Sequence, residues 1–242
     1  MEKKLLEIKG VSKHFGGFTA LSEVSIDVAT GERFGLIGPN GSGKTTLINC
    51  ISGVLANDGG RIVFDGAEIS GFPAYQRTRR GIARSFQIPR PFSSMSVLEN
   101  LVVPLEYVVH RASLHTADTE GEAMEILREI GLADKAATPS NRLSQVELRK
   151  LELARAMAAR PRLLISDEAM AGLSSNEISE VLEILFKMNA RGITIIMIER
   201  IMQAVMKFSQ RVICLDAGRI ICEGAPAAII ANPEVQKAYL GA

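Results

Sequence analysis

Nine consecutive residues, Gly38-Pro39-Asn40-Gly41-Ser42-Gly43-Lys44-Thr45-Thr46, combine glycines, one lysine and adjacent hydroxyls in the order that holds a triphosphate. The glycines let successive backbone N–H groups turn inward around phosphate oxygens, where a Cβ would obstruct them. Lys44 is placed to reach the β- and γ-phosphates, and the Thr45 hydroxyl to ligate Mg2+. A second group, Asp167-Glu168, ends the apolar run Leu163-Leu164-Ile165 far along the chain. Asp167 would hold Mg2+ directly or through water, and Glu168 would orient and deprotonate an attacking water. Acids at a strand end also serve as helix caps, but a phosphate loop in the same chain favours the chemical reading.

That chemistry needs a strand before the loop and a helix after it. Residues 34–37 form the apolar lead-in, and residues 45–52 read as the helix, whose start adds partial positive charge. An apolar run of the kind at 163–165, flanked by proline and acids, predicts a fully buried parallel strand, with its carboxylates at the end where open α/β sheets bind ligands. Residues 6–11 and 24–28 alternate as half-buried strands do. Between them Phe15 could stack on an adenine ring or be a core aromatic at a strand end. Further strands are expected within 59–66, with its bounding turns, and at 83–86, 193–198, 211–215 and 219–222, the last two joined by a hairpin turn at Asp216-Ala217-Gly218. Gln87 ends one of them; it could ligate Mg2+ through its carbonyl, position water, or be a surface amide. Helices are expected at 96–108, 120–130, from Ser144 to Arg160, from Ser174 to Arg191, and twice in the tail. Ser144 and Glu147 stand three apart, as a capping box requires.

Composition narrows the classes. With 47% hydrophobic residues the chain can bury a sizeable core, and a net charge of +1 without basic runs gives no footprint for a nucleic-acid partner. Cys50, Cys214 and Cys222 lack metal-type spacing and read as reduced, structural thiols. No apolar run reaches the roughly 18 residues of a membrane span, so any membrane role would work by docking.

The order of these pieces resembles the ATP-binding subunits of ABC transporters over essentially the whole chain: phosphate loop, Gln87, a helical insert, Leu143-Ser144, Asp167-Glu168 and Ala171-Gly172-Leu173. More narrowly it is similar to the subunits serving bacterial branched-chain amino acid uptake. The stretches carrying this are residues 81–87 and 151–156, Ile198-Glu199, residues 223–226 and the ending Ala238-Tyr239-Leu240-Gly241. The resemblance implies an α/β, P-loop (RecA-like) core with a parallel sheet, an N-terminal antiparallel β part and a helical insert. One cassette would span residues 1–242, with the core at about 1–87 and 161–242 and the insert at about 88–160. It also implies ATP and Mg2+ as ligands, and two cassettes, alike or different, closing head to tail on two ATP molecules. Phe15 would stack on adenine, Gln87 would link nucleotide state to the membrane subunits, and Ser144 would face the partner's nucleotide. Residues 89–97 would touch a coupling helix of integral membrane permease subunits, fed by a periplasmic solute-binding protein. The cassette would sit in the cytoplasm, peripheral on the inner face of the membrane.

The sequence departs from that family at two sites. Leu143-Ser144-Gln145-Val146-Glu147 replaces Leu-Ser-Gly-Gly-Gln or Leu-Ser-Tyr-Gly-Gln. Val146 should hold the backbone away from a partner's γ-phosphate or forbid its conformation. Glu147 either brings negative charge towards that triphosphate or caps its own helix. Arg200 stands where histidine is usual; it keeps positive charge and could reach the γ-phosphate, but cannot accept a hydrogen bond. Ala169, in place of a usual proline, is a milder change. Lys44, Gln87, Glu168 and Arg200 are therefore the expected catalytic set, with Thr45, Gln87 and Asp167 at the metal. ATP binding is expected, and slow hydrolysis by this chain alone.

Overall fold

Alternating apolar positions pleat the start of the chain into two long strands, β1 (Lys4–Phe15) and β2 (Phe18–Ala29), which pair antiparallel across Gly16 and Gly17. Leu6, Ile8 and Val11 face inward from the first, and Leu21, Val24 and Val28 from the second. The computed structural model describes residues 3–110 and 118–240. β3 (Arg33–Ile37) enters the glycine loop, and α1 (Lys44–Ser52) leaves it. β4 (Gly59–Phe64), the two-residue β5 (Ala67–Glu68), α2 (Ala74–Arg79) and β6 (Ile82–Ser85) follow. Three helices then come in succession: α3 (Val97–Pro104), α4 (Thr119–Ile130) and α5 (Gln145–Ala158). The remainder alternates: β7 (Leu163–Asp167), α6 (Ser175–Ala190), β8 (Thr194–Ile198), α7 (Met202–Phe208), β9 (Arg211–Asp216), β10 (Arg219–Gly224), α8 (Pro226–Ala231) and α9 (Pro233–Leu240).

The described residues form two sheets. One is antiparallel, in the order β2-β1-β4-β5; the other runs β10-β9-β3-β8-β7-β6 and is parallel except for its β10 edge. Side chains of a strand point alternately to opposite faces, and this divides the core. Leu163 and Ile165 of β7 pack with α1 and the antiparallel sheet, whereas Leu164 packs with the helices α3 to α7 on the other side. The parallel sheet is thus covered on both faces, which is why its central strands are fully buried.

Two expectations from sequence need amendment. The helix expected over residues 96–108 stops as an α-helix at Pro104 and continues as a π-turn over Leu105–Val109, closed by the His110 N–H donating to the Leu105 carbonyl at 2.8 Å. Proline lacks the N–H that the regular ladder needs there. The sequence reading also omitted α2 and α7. At six and seven residues they are too short to display a helical apolar period.

Candidate functional site

The loop from Gly38 to Gly43 is shaped by close approach. A Cβ on Gly38 (φ +150°) would stand 2.1 Å from the Leu215 carbonyl oxygen, and one on Gly43 (φ +105°) 2.7 Å from that of Ala20. No side chain fits at either position. Asn40 and Thr46 flank these turns, and Thr45 and Thr46 open α1. The buried Lys44 ammonium donates to the carbonyls of Gly38 (2.6 Å) and Pro39 (2.8 Å) and to Ser42 Oγ (3.3 Å). Burial, with the Arg200 guanidinium nearby, lowers Lys44 below the ordinary lysine range; Glu168 and Asp167 act in the opposite sense. The Gly38 N–H donates to the Tyr239 hydroxyl of α9 at 2.8 Å.

Strand pairing gathers the remaining groups. β7 pairs with β6 through Ser166 and Ser85, and with β8 through Asp167 and Ile198. Gln87, Asp167, Glu168 and Arg200 therefore lie at the C-terminal end of the parallel strands. Glu168 has φ +46°, unusual for a residue with a side chain, and its N–H is held by the Ile198 carbonyl at 2.8 Å. Its Oε1 accepts from Arg200 Nε at 2.9 Å and its Oε2 from Gln87 Nε2 at 2.7 Å. Asp167 Oδ2 accepts from Arg84 Nη2 at 2.7 Å, while Arg84 Nη1 donates to Asn49 Oδ1 at 2.6 Å. Asn49 stands four residues after Thr45, on the same face of α1. A continuous set of contacts thus joins the hydroxyl-bearing helix to the carboxylate strand.

The donor set fits Mg2+: a hydroxyl, a buried carboxylate and an amide carbonyl are all hard oxygen ligands. Among the described residues no cluster of three or more His, Cys, Asp or Glu could hold a metal by itself.

The altered stretch at 143–147 starts α5. Ser144 Oγ accepts from the Glu147 N–H (3.4 Å) and Glu147 Oε2 from the Ser144 N–H (2.8 Å), while Glu147 Oε1 meets Lys135 at 2.6 Å. Lys135, then the Ser144 N–H, holds the Glu147 carboxyl below its usual range. Of the two readings of Glu147, the cap is the one its contacts support. Val146 lies in the first helical turn, a backbone region open to any residue, so the idea that it forbids its conformation is corrected; only its bulk remains. Arg200 rests on Glu168, not on the loop. Phe15 ends the β1–β2 hairpin, 48% exposed, with the Lys13 ammonium 5.6 Å from its ring centre.

Besides Arg84 and Asn49, two residues that hold the site together were missed from sequence. Arg149 of α5 is buried and donates to the carbonyls of Phe86, Gln87 and Ala171, tying two loops to its helix. Glu199, 2% exposed, accepts the Met170 N–H at 3.0 Å. Burial, reinforced by the Glu168 charge, raises its pKa to about 7, against the pull of Met170 and Arg149. Neither carries a spacing signal; the position of Glu199 directly after a buried strand was the available clue. A groove of about 390 Å³, lined by Ile82, Phe86, Phe92, Val103, Tyr107 and Arg155, separates β6 from the helices α3 and α5.

Fold and loop together define a nucleotide-binding cassette of the P-loop α/β class. A family model described as ABC transporter matches residues 21–171, and one described as Branched-chain amino acid ATP-binding cassette transporter matches residues 219–242. The chain is 36% identical to the high-affinity branched-chain amino acid transport ATP-binding protein BraF of Pseudomonas aeruginosa, covering 100% of this chain and 99% of that one. Among solved structures it resembles an ABC transporter cassette in its ADP conformation (TM-score 0.89, 30% identity, 99% of both chains). It also resembles a dimeric cassette in a post-hydrolysis state bound to ADP and Pi (TM-score 0.82, 25% identity, 92% and 99%). The chain belongs to the ABC transporter ATP-binding proteins, in their branched-chain amino acid transporter family.

Proposed function

We propose that this chain hydrolyses ATP to energise an importer of branched-chain amino acids or a similar small polar solute. The observation that carries the reading is the contact chain Asn49–Arg84–Asp167, which ties the helix that carries Thr45 to the strand that ends in both carboxylates. The loop amides and Lys44 would hold the phosphates. Thr45, Asp167 and Gln87 would hold Mg2+, which when bound supplies charge neutralisation at the γ-phosphate. Glu168 would orient and deprotonate the water that attacks in line, and a second cassette would present Ser144 to this nucleotide.

The apolar groove beside Phe86 and Phe92 suits a helix of a membrane permease subunit. None of the described helices is long and apolar enough to cross a membrane, in keeping with a cassette docked on the inner face. The full-length identity to BraF supports the substrate class, and with it a periplasmic solute-binding protein upstream.

A second reading has its own observation. Both carboxylate oxygens of Glu168 are engaged, by Arg200 and Gln87, which opposes its work as a base. The chain would then be a regulatory cassette leaning on a more active partner. Purified protein should bind Mg-ATP yet turn over slowly. The combined change Arg200→His, Val146→Gly and Glu147→Gln should raise the rate, by up to about fivefold from the release of Glu168 alone, since a half-exposed ion pair is worth at most about 1 kcal/mol. No gain would refute the reading of these departures. A rate that rises only when a second, different cassette is added would favour the regulatory role.

A further inference from the structure

The Arg84 side chain is about 10% exposed, as is that of Asp167, and its two arms are split between two elements. One holds Asp167 Oδ2 and the other Asn49 of α1. The guanidinium also lies 5.0 Å from the centre of the Phe86 ring, which Arg90 approaches to 5.2 Å. Phe86 and Arg84 both line the apolar groove. One side chain therefore touches the metal-type carboxylate, the helix of the phosphate loop and the wall of the groove.

We propose that Arg84 is the positioning residue for Asp167, and that it carries the state of the groove to the divalent-cation site through Phe86. A charged fork bonded to one carboxylate oxygen fixes the plane of the carboxylate and leaves the other oxygen for the cation or its water. The Asn49 contact holds that plane in register with Thr45. A helix pressing on Phe86 would move the ring, the stacked guanidinium and then the carboxylate. This route runs beside the one through Gln87 and ends on a different acid. It rests on the proposed function only in taking the cation to be Mg2+ with a bound nucleotide and the groove to receive a helix.

The test uses the isolated chain and a fluorescent ATP analogue, with affinity measured in EDTA and in excess Mg2+. The ratio of the two affinities is the contribution of the metal. Arg84→Met should lower that ratio by about 10- to 100-fold, the usual effect of losing a partner behind a metal ligand, with the EDTA affinity within about twofold of wild type. Asn49→Ala should lower it in the same direction by less, and it keeps the test alive if Arg84→Met does not fold. Phe86→Ala, outside the nucleotide site, should also lower the ratio, by at least about threefold. An unchanged ratio in Arg84→Met and Asn49→Ala overturns the positioning role. So does a raised ratio, which would mean that Arg84 only neutralises Asp167, or an EDTA affinity that falls in step, which would mean support of the loop alone. An unchanged ratio in Phe86→Ala overturns the link to the groove. A wild-type chain with no Mg2+ enhancement at all would instead sink the proposed function.

Discussion

The phosphate loop and the carboxylate cluster lie at the same end of the parallel strands but are built in opposite ways. The loop is made from neighbours in sequence: Lys44 bonds the carbonyls of Gly38 and Pro39 and the Ser42 hydroxyl, all within six positions. The cluster is made from distant strands: Asp167 takes its partner from 83 residues away, and Glu168 takes its two from 81 and 32. A loop that ties itself together holds its shape from backbone geometry. A cluster tied by side chains of other elements can be displaced whenever those elements move. On the proposed function, the difference would put binding in the self-tied part and leave the remotely held part open to regulation.

The largest effect should come from cutting the loop's own tie. Lys44→Ala removes a buried ammonium from two carbonyls and, by the proposed mechanism, from the phosphates. Hydrogen bonds to charged groups contribute about 1.5–3 kcal/mol each, so ATP affinity should fall at least about 100-fold. A fluorescent-nucleotide titration measures this. If the loop is self-made, magnesium should still enhance whatever binding remains, because Asp167 and Arg84 are untouched. Loss of that enhancement as well would break the contrast.

The same contrast explains what could be read from the amino acids. β3, the glycine loop and α1 are contiguous, and their order alone conveys the shape. The strand ending at Asp167 was legible from its apolar run. The partners of its acids were not, because no periodicity tells that Arg84 turns to Asp167 or that Arg149 reaches the Gln87 carbonyl. Arg200 was noticed as an unusual residue, but its contact lies on Glu168, a matter of side-chain direction at the end of β8. The Ser144–Glu147 cap was written in the three-residue spacing, whereas the additional hold of Lys135 on Glu147 was not.

A buried carboxyl in the remotely held part, with the Glu168 charge beside it, gives the next effect. Glu199 titrates near 4.5 when unfolded and about 7 in the folded chain. Between those values the folded state keeps a proton that the unfolded state has released, so stability falls as pH rises and the loss is complete above about 7. Its size is up to about 3 kcal/mol. Glu199→Gln keeps an acceptor for the Met170 N–H and cannot ionise. The variant should therefore be more stable than wild type at pH 8 and nearly equal at pH 4.5, as thermal unfolding followed by circular dichroism would show. A wild-type melting temperature flat across that range would mean that Glu199 stays charged, and the burial argument would fail.

The smallest effect probes a place where the phosphate loop does borrow from afar, as it also does where the Gly218 N–H donates to the Ser42 carbonyl. Tyr239 lies near the end of the described chain, in α9, and its hydroxyl accepts the Gly38 N–H. Burial raises its pKa, with the Gly38 N–H pulling the other way, so at neutral pH the phenol keeps its proton and acts on the amide as a neutral acceptor. Tyr239→Phe leaves the ring to cover the loop and removes only the oxygen. A neutral hydrogen bond contributes about 1 kcal/mol, so ATP affinity should weaken about fivefold with little change in melting temperature. An unchanged affinity would show that α9 merely covers a loop that shapes itself. A loss well beyond fivefold would place the tail among the elements that set the loop, and the division between a self-made and a borrowed region would have to be redrawn at Gly38.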